Sequence, residues 1–176
     1  MHEYIKSHAK SFINKDILEI SCGCGLVSIT LSLIGAKLVI ATELEDILNS
    51  NTKKNLLLNG LENSINLKLL TLEWDNSENM NNLFKSYSHL DYIILSECLY
   101  EDAPFDKLLL TLIKLCKFYN LDVFFAYKKR YIFQDNCMKK LKLYFQIEDI
   151  PRNEIHQDYR KNDNYQFFIM KFINTK

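Results

Sequence analysis

The sequence is short of several things, and each shortage narrows the reading. Net charge is absent: 22 Lys plus Arg balance 22 Asp plus Glu. That removes the global electrostatic case for nucleic-acid binding and leaves room only for a local patch. No apolar run is long enough to span a bilayer, so no membrane partner is expected. The start, Met1 to Lys10, is polar and charged and lacks the apolar stretch of a secretory leader. A cytoplasmic setting is therefore expected, with Cys22, Cys24, Cys98, Cys116 and Cys137 as reduced thiols, mostly core fillers. Cys22 and Cys24 have no second Cys or His pair at ligand spacing, so no metal is expected. Glycine and proline are scarce, at four and two, and no repeat, low-complexity linker or composition break divides the chain. At 176 residues, 48% apolar, a single domain over 1–176 with a sizeable core is expected rather than disorder.

What is present is organised around Asp16 to Gly25. Ile17, Leu18 and Ile20 make a short apolar strand that stops at Gly23-Cys24-Gly25, and an apolar helical pattern over 26–34 follows at once. Strand, glycine turn and helix bring bare backbone close to a ligand at the carboxyl end of a parallel sheet. Along the chain, residues 2–14 read as an amphipathic helix with Tyr4, Ile5, Phe12 and Ile13 on one face. Leu38–Ala41 is a continuous apolar strand, as expected for burial on both faces. Residues 45–59 read as a helix with Ile47, Leu48, Leu56 and Leu57 inward. Further strands are predicted over 65–72, 92–95 and 122–127, and helices over 80–87, 104–119 and 131–141. Residues 144–150 and 165–173 read as late strands with no helical pattern between them. Helical crossovers force parallel neighbours, and the direct connection at the end predicts an antiparallel last strand. The fold class is α/β: a doubly wound, mostly parallel, seven-stranded Rossmann-like sheet.

Several strand ends can converge on one ligand. Glu43 lies 18 residues beyond Gly25 at the end of the second strand. An acid at about that spacing is placed to accept hydrogen bonds from both ribose hydroxyls of an adenosine-type ligand. Trp74, the only tryptophan, follows the third strand and could stack on adenine; its flanks, Glu73 and Asp75, argue against a fully buried position. The fourth strand ends in Ser96-Glu97-Cys98-Leu99-Tyr100, beside the first, where such a sheet opens its crevice. Glu97 offers a carboxylate for an amine and Tyr100 an aromatic wall. A dinucleotide fold wants a third glycine at position 28, which here is Ser. The Glu-x-x-Cys-Gly-x-Gly form fits S-adenosylmethionine better.

Leu18 to Ile29 resembles the glycine motif of the seven-strand, class I methyltransferases. Gly35-Ala36, Thr42-Glu43-Leu44, the spaced Asn51, Asn55 and Asn59, Leu72-Glu73-Trp74 and Glu97-Cys98-Leu99-Tyr100 resemble one branch of them. So do Tyr127-Lys128-Lys129-Arg130 and Asp158-Tyr159-Arg160. That branch is the protein-lysine methyltransferases of methyltransferase-like 16/21 type, related to enzymes acting on elongation factors and chaperone-type ATPases. The resemblance implies S-adenosyl-L-methionine as cofactor. Gly23, Cys24 and Gly25 would line its methionine end, with Glu19 supporting that loop. Glu43 would hold the ribose, Trp74 would meet the adenine, and Ser96 would contact the cofactor. Glu97 and Tyr100 would border the acceptor lysine as the catalytic pair. The implied partner is a protein substrate, such as a translation factor or chaperone-type ATPase, and a monomer is expected.

The chain departs from that family in three places. The family often has Gly where Ser21 stands; if that backbone needs positive φ, Ser21 costs on the order of 1 kcal/mol. It usually has Asp where Glu97 stands, which sets this carboxylate one methylene further out. It also has an upstream segment whose Trp helps close the cofactor site. Only 15 residues precede Asp16 here and none is Trp, so a truncated product or a more open site is expected. The rival readings are a methyltransferase for a small molecule or other non-lysine acceptor, and a cofactor-binding interaction module without turnover. Ser96–Tyr100 lacks the Asp/Asn-Pro-Pro-Tyr pattern of base-amino methyltransferases, which counts against a base as acceptor.

Overall fold

Seven strands form one sheet in the order β3-β2-β1-β4-β5-β7-β6. They are β1 (Asp16–Ile20), β2 (Leu38–Glu43), β3 (Leu67–Thr71), β4 (Tyr92–Ser96), β5 (Asp122–Lys128), β6 (Phe145–Asp149) and β7 (Tyr165–Phe172). The structure is a computed structural model and describes residues 1–173. The first five strands run parallel, and β7 lies antiparallel between β5 and β6. The doubly wound α/β class and the antiparallel last strand are as the sequence predicts. The central strands are continuous apolar runs because helices cover both faces; all five residues of β1 are buried.

The period of two sorts these residues between two cores. Leu18, Ile20, Ile40, Ile93, Leu95 and Phe125 pack toward α5 (Ser77–Ser86), α6 (Phe105–Tyr119) and α7 (Phe133–Leu141). Ile17, Val39, Ala41, Ile94 and Phe124 face α1 (His2–Ser7) and α2 (Leu26–Leu33). Phe12, fully buried against the rings of Tyr4, Tyr92 and Phe124, ties the N-terminal segment to that second core. The predicted helix over 2–14 is shorter than expected: α1 ends at Ser7, a 3-10 turn covers Ala9–Ser11, and Ile13 is exposed.

The segment after β2 departs from a regular helix. α3 (Glu45–Ile47) passes into a π-turn at Leu48–Thr52 before α4 (Lys53–Leu58). The wider turn sets Leu48, Thr52 and Leu56 four apart on the inner face. Leu57, predicted inward, is therefore 60% exposed, and Thr52 takes a core position. Between β6 and β7 the chain is not purely extended. A 3-10 turn at Arg152–Glu154 and α8 (Gln157–Arg160) fill it, fastened by Arg160, whose guanidinium donates to the carbonyls of Asn153 and Ile155. No helix among the described residues is long and apolar enough to cross a membrane.

The amino ends of β1 and β4 are pinned by charge. Asp91 accepts from the Asp16 amide at 2.8 Å and the Lys15 ammonium at 3.0 Å, and Lys37 reaches Asp16 at 2.9 Å. The starts of β1, β2 and β4 are thereby fixed at one end of the sheet, and their other ends are left to build a cleft. That cleft opens beyond β1 and β4, where β2 lies on one side of β1 and β4 on the other.

Candidate active site

The loop after β1 is bent and tightly held. Ser21, Gly23 and Gly25 all have positive φ, at 57°, 54° and 83°. A Cβ on Gly23 would meet nothing within 4 Å, whereas one on Gly25 would press on Thr52 at 3.1 Å. Gly23 thus leaves space on the cleft side, and Gly25 lets the start of α2 pack closely against the π-turn. The amide of Gly23 donates to Glu43 Oε2 at 3.0 Å. From behind, Thr52 Oγ1 donates to the Gly23 carbonyl at 2.7 Å and Asn55 Nδ2 to the Cys24 carbonyl at 2.8 Å. The spaced Asn series is the only sequence signal for Asn55, and nothing in the sequence marks Thr52.

Ser21 does sit in the left-handed region, and its strain is on the order of 1 kcal/mol. Its hydroxyl accepts from Trp74 Nε1 at 3.1 Å. The indole is 8% exposed, which corrects the expectation drawn from its acidic flanks. Glu73 is turned outward and Asp75 reaches Lys114 at 2.6 Å, so both acids are accommodated while the ring turns in. A buried indole N–H needs an acceptor, and Ser21 supplies it.

Glu19 is buried beneath the loop, where Ser28 Oγ donates to its carboxylate. Burial pushes its pKa up to about 8, against the smaller lowering effect of the Ser28 contact. Glu19 therefore links β1 to α2 from inside, as a support for the glycine loop would. Glu43 keeps capacity for a ligand. Oε2 takes the Gly23 amide and Oε1 takes the Leu44 amide at 3.0 Å, which uses one acceptor direction on each oxygen.

Glu19, Gly23, Cys24, Glu43 and Ser96 line one cleft together with Glu97 and Tyr100. Trp74 lines an adjoining pocket with Ser21, Glu43 and Tyr100. Ser21, Glu43, Leu44 and Tyr100 belong to both. Of the residues predicted from sequence, Gly25 alone does not line either space; it packs against α4 and the π-turn.

The other wall is built by a clasp. Glu97 has positive φ, 61°, and its amide bonds to the Ala126 carbonyl at 2.9 Å. Its carboxylate is exposed but already engaged, rather than free as an amine site read from sequence would suggest. Oε1 accepts from the Lys128 amide at 2.8 Å and Oε2 from Arg130 Nη1 at 2.5 Å. Gln134, fully buried, donates to the Leu99 carbonyl at 2.8 Å and accepts from the amides of Arg130 and Tyr131. The loops after β4 and β5 are thus joined by Glu97, Arg130 and Gln134. In the sequence Arg130 belongs to the Tyr127–Arg130 run without a legible role, and nothing marks Gln134, a lone helical Gln, as buried. Tyr100, half exposed, leans toward Trp74 with ring centroids 6.3 Å apart.

Comparison with known proteins fits this geometry. The family described as lysine methyltransferase matches residues 1–144. Protein-lysine methyltransferase METTL21E of Mus musculus is 31% identical over 150 residues, covering 84% of this chain and 60% of that protein. The chain spans about half the length of the curated relatives it matches. Among solved structures, an rRNA methylase from Streptococcus thermophilus superimposes with a TM-score of 0.63 at 15% identity, covering 98% of this chain and 93% of that one. A ribosomal protein L11 methylase from Lactobacillus delbrueckii subsp. bulgaricus gives 0.62 at 16%, covering 96% and 76%. At such identities the structural likeness speaks for the fold.

Proposed function

The chain belongs to the lysine methyltransferase family, and from that membership we propose that it moves a methyl group from S-adenosylmethionine to a lysine side chain of a protein. The observation that carries the reading is the meeting of Glu43, the glycine loop, Ser96 and Glu97 around one cleft at the switch point of the sheet. Bound there, the donor would supply an activated methyl group. Glu43 would accept from the ribose hydroxyls, Trp74 would wall the adenine, and Gly23, Cys24 and Ser96 would border the methionine end. Gly23 suits that place because the space a side chain would fill is free.

The acceptor amine must arrive without its proton, and lysine's ordinary pKa is about 10.4. The Glu97 clasp serves this. A bare carboxylate would attract the ammonium form and hold its proton. Here the Arg130 guanidinium already balances the Glu97 charge. An amine beside this pair meets little net attraction for its charged form, and a substrate closing over Tyr100 would disfavour that form further by excluding water. Glu97 orients the amine and Tyr100 walls it; alignment and exclusion of water supply the rest. The proposed setting is cytoplasmic and the proposed enzyme a monomer. Its proposed substrate class is that implied by the family resemblance, a translation factor or chaperone-type ATPase.

Two measurements test the reading together. Calorimetric titration with S-adenosylhomocysteine should show one site. Tritiated methyl transfer into a same-species lysate, followed by acid hydrolysis, should give methyl-lysine in a protein band. Binding without any label in protein would overturn the lysine-transfer reading, and no binding at all would overturn the cofactor as well.

A further inference from the structure

We propose that Ser21 is a positioning residue of the purine pocket, holding the Trp74 indole in place as its wall. The proposal rests on the reading that Trp74 meets the adenine of the donor. Ser21 and Trp74 lie at the ends of non-adjacent strands, β1 and β3, on either side of β2. Their side chains meet across the end of β2 at 3.1 Å, and both line the pocket shared with Glu43 and Tyr100.

Two observations make Ser21 hard to explain as a turn residue. Its φ of 57° is one that glycine would adopt without strain, so as a turn residue Ser is the poorer choice. Yet its hydroxyl is the recorded acceptor for the indole N–H of a ring that is only 8% exposed. A buried donor left without a partner is costly, and the ring would turn to find water or another acceptor. Core side chains pack the ring but offer its N–H no acceptor, and Tyr100, on the pocket side, is half exposed. The strained serine is therefore kept for its oxygen.

Trp74 is the sole tryptophan, so its emission reports on this contact without labelling. The test uses the full chain with Ser21→Gly, Ser21→Ala and Ser21→Asn. It reads Trp74 emission in the free protein, thermal midpoint, and affinity for S-adenosylhomocysteine by calorimetry. Ser21→Gly should melt close to the parent, relief of the left-handed strain offsetting the lost bond, yet bind the nucleoside about three- to tenfold more weakly, the scale of one lost hydrogen bond. Ser21→Ala should bind as weakly and melt lower. Ser21→Asn, which tolerates the backbone and restores an acceptor, should recover most of the affinity. Emission should shift in the Gly and Ala proteins before any ligand is added. Tighter or equal binding by Ser21→Gly, or emission unmoved in both, would overturn the proposal. If the parent binds no S-adenosylhomocysteine, the adenine role falls with the proposed function. The emission shift then still decides whether Ser21 holds the ring.

Discussion

The two walls of the cleft are fixed in different ways. The donor wall, made by the ends of β1, β2 and β3, is held by uncharged side chains and one carboxylate gripping the backbone of the glycine loop: Glu43 on the Gly23 amide, and Thr52 and Asn55 on the Gly23 and Cys24 carbonyls. The acceptor wall, made by the ends of β4 and β5, also uses side chains on backbone, Gln134 on the Leu99 carbonyl and Arg130 amide and Glu97 on the Lys128 amide, but adds an exposed ion pair between side chains, Glu97 with Arg130. Gripped loop backbone keeps its shape whatever lies around it, whereas an exposed ion pair can be re-cut without disturbing the sheet. The difference suits the proposed reaction, whose donor would be the same for any protein acceptor.

The sharpest way to break this comparison is to remove one anchor from each wall. Glu97→Ala should lower methyl transfer by at least about 100-fold, the range of a lost acid–base or positioning group, while S-adenosylhomocysteine still binds. Unchanged turnover would take the carboxylate out of the reaction. Glu43→Ala should do the reverse. S-adenosylhomocysteine affinity should fall about 10- to 100-fold in a titration, because two charge-assisted acceptors and the brace on Gly23 go together.

Gln134→Ala separates support from chemistry on the acceptor wall. It leaves buried backbone amides and a carbonyl without partners, so unfolding in urea should show a loss of about 2–3 kcal/mol. If stability is retained, the clasp is not structural. The smallest effect belongs to Glu19. Its folded pKa, about 8, lies above the unfolded value near 4.5 because of burial. The folded chain therefore holds an extra proton at Glu19 between those values, and this group's contribution to stability is fully present below about pH 4.5 and is lost as pH rises through 8. Denaturation midpoints across pH 5–8 should fall for the parent, by an amount on the order of 1–3 kcal/mol, and fall less for Glu19→Gln. Parallel curves would show that Glu19 does not carry this dependence.

The donor wall was legible in sequence because its parts lie at the ends of consecutive strands. A glycine turn, an acid 18 residues on and a tryptophan after the next strand are ordered by the chain itself. The strain at Ser21 could be anticipated from a missing glycine, but its bond to Trp74, 53 residues away, could not. The acceptor clasp escaped for the same reason. Glu97 and Arg130 are 33 residues apart, and only the parallel pairing of β4 with β5 brings them together. The irregular helix after β2 was also hidden, since its apolar spacing fits an ordinary helix nearly as well.

That irregular helix makes the length of one segment matter more than its composition. Each residue added to or taken from a helix swings everything beyond it by about 100°. If 48–52 were shortened by one residue into a regular turn, Thr52 and Asn55 would rotate off the two carbonyls they grip. The loop would lose its rear fastening even though no residue touching a ligand had been altered. Variants that differ by a single insertion or deletion at 48–52 should therefore disable the donor wall more thoroughly than most exchanges of side chain there.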